Sequence, residues 1–233
     1  MEFNEWEKWY IEILDDFGFD REGDEASAIM LDELLNTEDK LTLEELKESL
    51  ISDKFIVFGA GPSLKKHIIE YKDLFDDHVL IAADGATSAL LEEYIVPDII
   101  ATDLDGNMDH LLFANDEGCS VVIHAHGNNQ YQIENYTPYF NKILGTTQSK
   151  PHGNLYNFGG FTDGDRAIFL AIALGAKEIQ LAGMDFGTIV TKYSRPNIEG
   201  DTAPADEIKT KKLQYAEKLT NWVKDNVDVE LLF

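Results

Sequence analysis

Hydrophobic positions in the first fifty residues recur every three or four residues, which is the spacing of one helical face. The first such stripe consists of Trp6, Trp9, Tyr10, Ile13 and Phe17. The segment Thr42-Leu43-Glu44-Glu45 has the pattern of a capping box that begins a further helix. Because no strand pattern occurs in this region, we predict that residues 1–50 form a small helical appendage that packs on the main domain.

From residue 54 the pattern changes to short hydrophobic runs separated by segments of helical length and spacing. The runs that predict strands are 55–58, 79–83, 98–102, 121–124 and 178–182. The predicted helices are 64–74, 87–94, 108–118, 165–174 and 206–225. Continuous apolar runs fit strands that are covered on both faces. We therefore predict a doubly wound α/β domain over residues 51–233, with a mostly parallel sheet, helices on both faces and an edge strand near 227–231.

The charge of the chain argues against one broad class of partner. Lysine and arginine total 19 against 44 aspartates and glutamates, so the formal net charge is −25. Binding to nucleic acid needs a cationic surface, and we expect no such partner. No hydrophobic run is long enough to cross a membrane, and the N-terminus lacks the basic start and apolar core of a signal peptide. We expect a cytoplasmic protein with no membrane partner. The sequence is compatible with a homo-oligomer.

Aspartates follow two of the predicted strands. Asp84 follows the second run, and Asp103 and Asp105 follow the third, separated by one residue. Carboxylates at the ends of parallel strands converge on one edge of the sheet, where they repel unless a cation lies among them. Gly106 is predicted to permit the sharp turn that lets Asp103 and Asp105 bind one hard cation. The sequence therefore predicts Mg²⁺ and a polyphosphate, and the alternative is that these aspartates only cap helices.

Two glycine-containing turns are candidates for phosphate binding. Phe58-Gly59-Ala60-Gly61-Pro62-Ser63-Leu64 follows the first strand and opens a helix, so its amides could approach a phosphate. Leu64 stands where the dinucleotide-binding pattern has glycine, and a tight helix start is the alternative. Another acidic turn, at 159–166, opens a later helix. The predicted contacts to ATP or phosphate in these turns are Gly59, Gly61, Ser63, Thr162, Asp165 and Arg166.

Two further segments carry candidate substrate contacts. In His124-Ala125-His126-Gly127-Asn128, strand alternation sends both histidines to the same side and Gly127 frees the chain to turn. We predict that His126 and Asn128 contact substrate, with a buried structural histidine as the alternative for His126. The polar stretch from 187 to 205 is too long for a simple connector. We predict a mobile lid whose Lys192 and Arg195 close over phosphates, with solvated surface cations as the alternative.

Six ordered motifs together resemble a known family. They are the turn at 58–64, Ala83-Asp84-Gly85-Ala86, Thr102-Asp103-Leu104-Asp105-Gly106, His124-Ala125-His126-Gly127, the turn at 160–166 and Gly183-Met184-Asp185-Phe186-Gly187. From about residue 50 to the C-terminal helix the chain resembles the archaeal MptE-type 6-hydroxymethyl-7,8-dihydropterin diphosphokinases, which are similar in fold to thiamin pyrophosphokinases. The resemblance implies that Asp84, Asp103, Asp105 and Asp163 bind Mg²⁺. One departure is Asn128, where related sequences often have aspartate.

The resemblance also implies a reaction. The diphosphate of ATP would pass to the hydroxymethyl group of a pterin alcohol, with release of AMP, in folate or methanopterin biosynthesis. Asp105 is a candidate acceptor of the alcohol proton, and Lys192 or Arg195 would stabilise charge on the phosphates. A thiamin pyrophosphokinase is the alternative with the same metal site. A sugar-nucleotide-dependent glycosyltransferase-like domain is the alternative from another class, which the presence of both the Asp103–Asp105 and Thr162–Asp163 turns disfavours.

Overall fold

The hydrophobic runs of the chain form an eight-stranded parallel sheet. The computed structural model describes residues 1–37 and 39–233. The strands are β1 (Lys54–Phe58), β2 (Val79–Ala83), β3 (Ile99–Thr102), β4 (Ser120–Ala125), β5 (Ile143–Thr147), β6 (Leu155–Tyr156), β7 (Glu178–Ala182) and, at one edge, β10 (Glu230–Leu232). They are ordered β10-β7-β1-β2-β3-β4-β5-β6. The two short strands β8 (Ile189–Thr191) and β9 (Thr202–Pro204) pair separately as an antiparallel hairpin.

Nine α-helices of the described residues connect and cover these strands. They are α1 (Phe3–Phe17), α2 (Arg21–Leu35), α3 (Leu43–Glu48), α4 (Leu64–Glu70), α5 (Ala86–Leu91), α6 (Met108–Asp116), α7 (Gln130–Tyr136), α8 (Asp163–Ala173) and α9 (Glu207–Asn226). Short 3₁₀ helices occupy Lys72–Asp77 and Thr137–Tyr139. None of the helices in the described ranges is long and apolar enough to cross a lipid bilayer.

Both faces of the sheet are buried, as continuous hydrophobic strands require. Alternate residues of β1 show this, since Phe55 and Val57 pack in the cluster beneath α1, α8 and α9, whereas Ile56 and Phe58 pack in the cluster beneath α4 and α5. A third cluster lies beneath α2, α6 and α7. The predicted doubly wound α/β fold is confirmed, and every strand pair of the main sheet is parallel.

The N-terminal helices share the core of the α/β domain. Trp6, Tyr10 and Ile13 of α1 are each 1% exposed and belong to the same cluster as β1 and β7. Leu31 and Leu35 of α2 pack in the cluster that contains β4 and β5. The predicted capping box is present at Thr42, which begins α3. The helices of residues 1–50 therefore lie against the sheet and help to form its core.

The order of the strands fixes the place of a crevice. The chain adds strands outward from β1 to β6, and α8 then returns it to β7 on the other side of β1. The chain therefore leaves β1 and β7 towards opposite edges of the sheet, although the loops that follow these two strands contact each other through a 2.8 Å hydrogen bond from the Gly61 amide to the Gly183 carbonyl oxygen. In open α/β sheets, ligands bind at such a switch point.

Candidate active site

A cavity of about 590 Å³ lies at the carboxyl ends of the central strands. Its floor contains the residues that follow four strands, namely Gly59, Asp84, Asp103 and Gly183. Residues of the α1–α2 connection, of α8 and of the first turns of α9 form its walls. This is the position that the strand order indicates for a ligand site.

The predicted acidic residues converge in this cavity. Asp84, Asp103 and Asp105 each offer a carboxylate oxygen, and these oxygens all lie within 4.8 Å of one another. The sharp turn between Asp103 and Asp105 is present, but the predicted reason for it was wrong. Leu104 adopts the left-handed conformation with φ 66°, and Gly106 does not. Gly106 instead makes room for Asp84, because a Cβ at Gly106 would lie 2.5 Å from the Asp84 Oδ2 atom.

Hydrogen bonds hold the acidic side chains in place. The Thr102 hydroxyl donates to Asp84 Oδ1 at 2.6 Å and accepts from the Leu104 amide at 2.8 Å. The His126 Nε2 atom lies 2.9 Å from Asp103 Oδ2. Asn129 donates to the Asp103 carbonyl oxygen at 3.0 Å and accepts from the His126 amide. The strand β4 and its following loop therefore orient the carboxylate that follows β3.

The pKa values of the cluster reflect burial and mutual repulsion. Burial, together with the neighbouring carboxylates, raises the pKa of Asp84 and of Asp105. Burial and the charge of Asp103 raise the pKa of Asp163 to about 8. Burial would also raise the pKa of Asp103, but the hydrogen bond and charge of His126 outweigh it and lower that pKa. The cluster therefore contains one carboxylate that stays charged among several that resist ionisation without a cation.

The arrangement fits a hard divalent cation. The Asp103 Oδ1 atom is buried and has no hydrogen-bond partner among the described residues. A buried carboxylate oxygen without a partner is costly, and a cation would satisfy it. Carboxylate oxygens are also the ligands that Mg²⁺ prefers. Asp163 lines the same cavity, and its Oδ1 atom lies 3.4 Å from Nη1 of Arg166. The four predicted aspartates thus lie together, with three in the tightest group.

The first glycine-rich turn packs against protein. A side chain at Gly59 would meet Met184, and one at Gly61 would meet Asp185. The amide and hydroxyl of Ser63 both donate to Asp185 Oδ2, at 3.1 and 2.9 Å. Gly59 and Gly61 line the cavity, but the donors of Ser63 are used by a carboxylate at the place where the sequence predicted a phosphate.

Residues of the turn before α8 have two roles, since some cap the helix and others line the cavity. Asp165 is fully buried and accepts hydrogen bonds from the Phe161 amide at 2.6 Å and from the Thr162 amide at 2.8 Å. The structure contradicts the prediction that Asp165 binds phosphate, because its Oδ1 atom accepts from Thr162 in a capping box and its Oδ2 atom accepts from the Phe161 amide. Thr162 and Arg166 line the cavity. Arg166 also donates to Gln148 Oε1 at 3.0 Å.

The predicted lid is the β8–β9 hairpin and the loop within it. Lys192 pairs with Asp201 at 3.2 Å, and Arg195 pairs with Asp206 at 2.9 Å. Neither cation lines the cavity. Each of these exposed side chains pairs with an aspartate, Asp201 in the loop of the hairpin and Asp206 at the start of α9, and their closure over phosphates stays a prediction. The mobility of the lid stays a prediction.

The predicted substrate contacts after β4 line the cavity, whereas a nearby histidine is buried. His126 lines the cavity but is held by Asp103, and Asn128 lines the cavity with an exposed side chain. His124 is buried, and its Nδ1 atom lies 3.0 Å from the Thr146 hydroxyl oxygen on the neighbouring strand β5.

Four lining residues were missed by the sequence reasoning. Lys209 and Lys212 lie three residues apart on α9, and Asp24 and Gln148 stand on the opposite wall. Asp24 is 2% exposed and accepts from the Tyr10 hydroxyl at 2.6 Å and from the Gly127 amide at 2.6 Å. The available signal was the presence of lysines near the start of a helix, where the helix dipole disfavours them.

A family model and the full-length relatives of this chain carry names for the same kind of enzyme. The family model described as 6-hydroxymethylpterin diphosphokinase MptE-like matches residues 30–191. The 6-hydroxymethyl-7,8-dihydropterin pyrophosphokinase of Methanothermobacter thermautotrophicus is 54% identical over 231 residues, which cover 99% of each chain. The protein of the same name from Methanocaldococcus jannaschii is 45% identical, and the match covers 100% of both chains. The one from Pyrococcus furiosus is 46% identical, and the match covers 97% of this chain and 96% of that protein.

A solved structure shares the fold at greater distance. The MAf glycosyltransferase from Magnetospirillum magneticum AMB-1 matches with a TM-score of 0.51 and 18% identity, over 76% of this chain and 30% of that longer one. This likeness concerns the fold alone. The family model and the three full-length archaeal relatives, in contrast, show that the chain belongs to the MptE-like family of 6-hydroxymethylpterin diphosphokinases.

Proposed function

We propose that this protein transfers the diphosphate of ATP to the hydroxymethyl oxygen of 6-hydroxymethyl-7,8-dihydropterin and releases AMP, as a step in folate or methanopterin biosynthesis. The observation that carries the proposal is the convergence of Asp84, Asp103 and Asp105 in one cavity of a chain whose relatives bear that name. The requirement for ATP supports a cytoplasmic location.

The acidic cluster would hold the metal. Asp84, Asp103 and Asp105 would be the ligands of Mg²⁺, with Asp163 beside them. When bound, the ion supplies Lewis acidity and neutralises charge on the phosphate oxygens. His126 keeps the Asp103 carboxylate in one orientation through its 2.9 Å hydrogen bond. A ligand that is oriented in advance loses less entropy when a cation binds.

Asp105 is the proposed acceptor of the alcohol proton. It is the exposed member of the cluster, so one of its oxygens is accessible from the cavity. The carboxylate oxygen of Asp105 that does not bind the ion would accept the proton. In this proposal the oxygen of the hydroxymethyl group bonds to the β-phosphorus, the bond from that phosphorus to the α-phosphate oxygen breaks, and the proton passes to Asp105.

The mouth of the cavity offers an apolar surface for the acceptor. Phe19, Ile189 and Ile208 line the cavity, and they are 40%, 44% and 62% exposed. They belong to three separate segments, namely the α1–α2 connection, β8 and α9. Exposed apolar side chains around a cavity fit a flat heterocycle, and the amide of Asn128 offers both a donor and an acceptor to its polar edge.

Product analysis with different alcohols tests the proposal. The protein is incubated with ATP, Mg²⁺ and either 6-hydroxymethyl-7,8-dihydropterin or thiamin, and the nucleotide product is identified by chromatography. We expect AMP in proportion to pterin consumed and none above background with thiamin. AMP formed only with thiamin would favour the other pyrophosphokinase, and ADP as the main product would refute diphosphate transfer. The glycosyltransferase alternative rests on a shared fold alone and is not favoured.

A further inference from the structure

Positive charge is scarce in this chain, and the cations near the cavity differ in whether they pair with carboxylates. The cations of the hairpin are neutralised, since Lys192 pairs with Asp201 and Arg195 with Asp206. Lys209 and Lys212 of α9 line the cavity, and within residues 1–37 and 39–233 neither ammonium group forms an ion pair with a carboxylate. In a protein of net charge −25, these two lysines place positive charge on the wall of a cavity that contains the acidic cluster.

Helix stability does not explain these lysines. The helix α9 begins at Glu207, and Asp206 caps it by accepting from the Lys209 amide at 2.6 Å. Lys209 and Lys212 therefore lie in the first two turns, where the positive end of the helix dipole disfavours cations. Helix formation therefore does not require a lysine at either position, and both residues lie on the side of α9 that lines the cavity.

Packing holds the ammonium group of Lys212 in a defined place. It lies over the rings of Phe19 and Phe161, at 5.7 Å from each ring centroid. Two aromatic faces from different segments stabilise a cation without neutralising it. A side chain fixed in this way binds an anion with little further loss of rotamer freedom.

The two lysines lie near the carboxylates of the acidic cluster. Burial and the positive charges of Arg166 and Lys209 lower the pKa of Lys212, whereas Asp103 and Asp163 act in the opposite direction. Lysines and mutually repelling carboxylates in one cavity match a ligand that carries negative charge together with a divalent cation. A nucleoside triphosphate with its metal is such a ligand.

We propose that Lys209 and Lys212 form the site for the polyphosphate chain of the nucleotide, in place of the hairpin cations Lys192 and Arg195. This inference rests on the proposed function only in taking a nucleoside triphosphate as substrate. The acidic cluster binds the cation that accompanies the polyphosphate. The lysines of α9 bind phosphate oxygens that the cation does not contact. Lys212 and Lys209 are then phosphate-binding residues on a rigid helix.

Calorimetry with α,β-methylene-ATP and Mg²⁺ tests the inference without any acceptor. The variants are Lys209→Gln, Lys212→Gln, the double variant, and the hairpin variant with Lys192→Ala and Arg195→Ala. Lys211→Ala is the matched control, because Lys211 lies between the two lysines on α9 but pairs with Asp16 at 3.3 Å outside the cavity. Circular dichroism and thermal melting check that each variant is folded.

We expect each single glutamine variant to weaken the affinity for the analogue about tenfold and the double variant about a hundredfold, as for loss of one or two charge-assisted hydrogen bonds. Adenosine should bind the double variant and the wild type alike. The Lys211 and hairpin variants should stay within about twofold of the wild type.

Unchanged affinity in a folded double variant would overturn the inference, and so would an equal loss in the Lys211 control or a loss confined to the hairpin variant. If the double variant does not fold, the single variants decide by the same criterion. Failure to form AMP with the pterin alcohol would refute the proposed function while lysine-dependent binding stood. AMP formation with lysine-independent binding would refute this inference alone.

Discussion

Unfavourable backbone conformations hold the carboxylates of the acidic cluster. Asp84 and Leu104 have φ values of 38° and 66°, in a region that costs a non-glycine residue about 1 kcal/mol or more. The Thr102 hydroxyl bonds to Asp84 and to the Leu104 amide, so one side chain stabilises both strained residues. Strain that surrounding contacts hold in this way is typical of functional sites, and simple helix caps do not need it.

Loss of one charge from the cluster should remove activity but not folding. Asp103→Asn and Asp105→Asn keep the size of the side chain but weaken a hard-cation site, so we expect turnover to fall by about a hundredfold or more. Without metal, the free energy of unfolding should stay equal or rise for Asp105→Asn, because repulsion is relieved, and should fall modestly for Asp103→Asn, because the charged hydrogen bond to His126 is lost. Turnover across a magnesium titration and thermal melting measure the two effects. Asp109→Asn, in the first turn of α6, is the control, and equal turnover in all three variants would make the aspartates structural.

Among the elements, α2 is tied to the loop that follows β4 by one buried carboxylate. Asp24 accepts from the Tyr10 hydroxyl, from Gln148 Nε2 at 2.9 Å and from the Gly127 amide. Gln148 in turn accepts from Arg166 on the cavity wall. The N-terminal helices therefore support the site that the later strands provide.

Asp24→Asn should destabilise the protein. The NH2 group of asparagine cannot accept a hydrogen bond, so at least one buried donor that now bonds to Asp24 would lose its acceptor. We therefore expect a loss of about 3 kcal/mol in the free energy of unfolding. Urea titration followed by circular dichroism measures this loss. Glu25→Gln, the exposed neighbour on α2, should change it by less than about 0.5 kcal/mol. Similar values for the two variants would contradict the role of this contact.

The hairpin β8–β9 is seated on the turn that carries the acidic cluster. Gly85 has ordinary helical dihedrals, but a Cβ there would collide with the carbonyl oxygen of Tyr193. We expect Gly85→Ala to displace the hairpin and to cost about 1–3 kcal/mol of stability. Gly187→Ala is the control, since its Cβ would meet no atom closer than 3.9 Å. Amide hydrogen exchange over 187–205 should rise only in the Gly85 variant, and equal exchange in both variants would contradict this seating.

The sequence predicted the elements with strong hydrophobic runs and missed the weak ones. The five predicted strands and the edge strand are present, whereas β5 contains Gly145 and two threonines and β6 has only two residues. Asp84 and Asp103 could be predicted because they directly follow strands, and Asp105 and Asp163 because they belong to acidic turns that contain or adjoin glycine. Lys209 and Lys212 could not, since the face of α9 that meets the cavity depends on how that helix packs against the sheet.

At the scale of the whole molecule, we expect the acidic cluster to make the free energy of unfolding depend on pH and on a bound cation. The pKa of Asp163 rises from 3.8 to about 8, first through burial and then through the charge of Asp103. Between these two values the folded protein binds a proton that the unfolded chain has lost. The free energy of unfolding therefore falls as pH rises through this window, and the contribution of Asp163 is fully present only below it.

Thermal melting in EDTA should show this dependence. We expect Tm to fall between pH 5 and pH 8 more steeply in the wild type than in Asp163→Asn, which cannot ionise at this position. Magnesium should raise Tm more at pH 8 than at pH 5, because the cation binds the ionised cluster. Parallel pH curves for the two proteins, or a magnesium effect that is larger at pH 5, would contradict the account.

The central claim is that the metal-binding cluster directs attack at the β-phosphorus of ATP. Its most direct measurement follows radiolabel from [β-³²P]ATP and, separately, from [γ-³²P]ATP into the pterin product, with wild-type protein and Asp103→Asn. We predict that the wild type transfers both labels in equal amounts and leaves unlabelled AMP, and that the variant transfers neither at a comparable rate. Transfer of the γ label without the β label, or undiminished transfer by the variant, would contradict the claim.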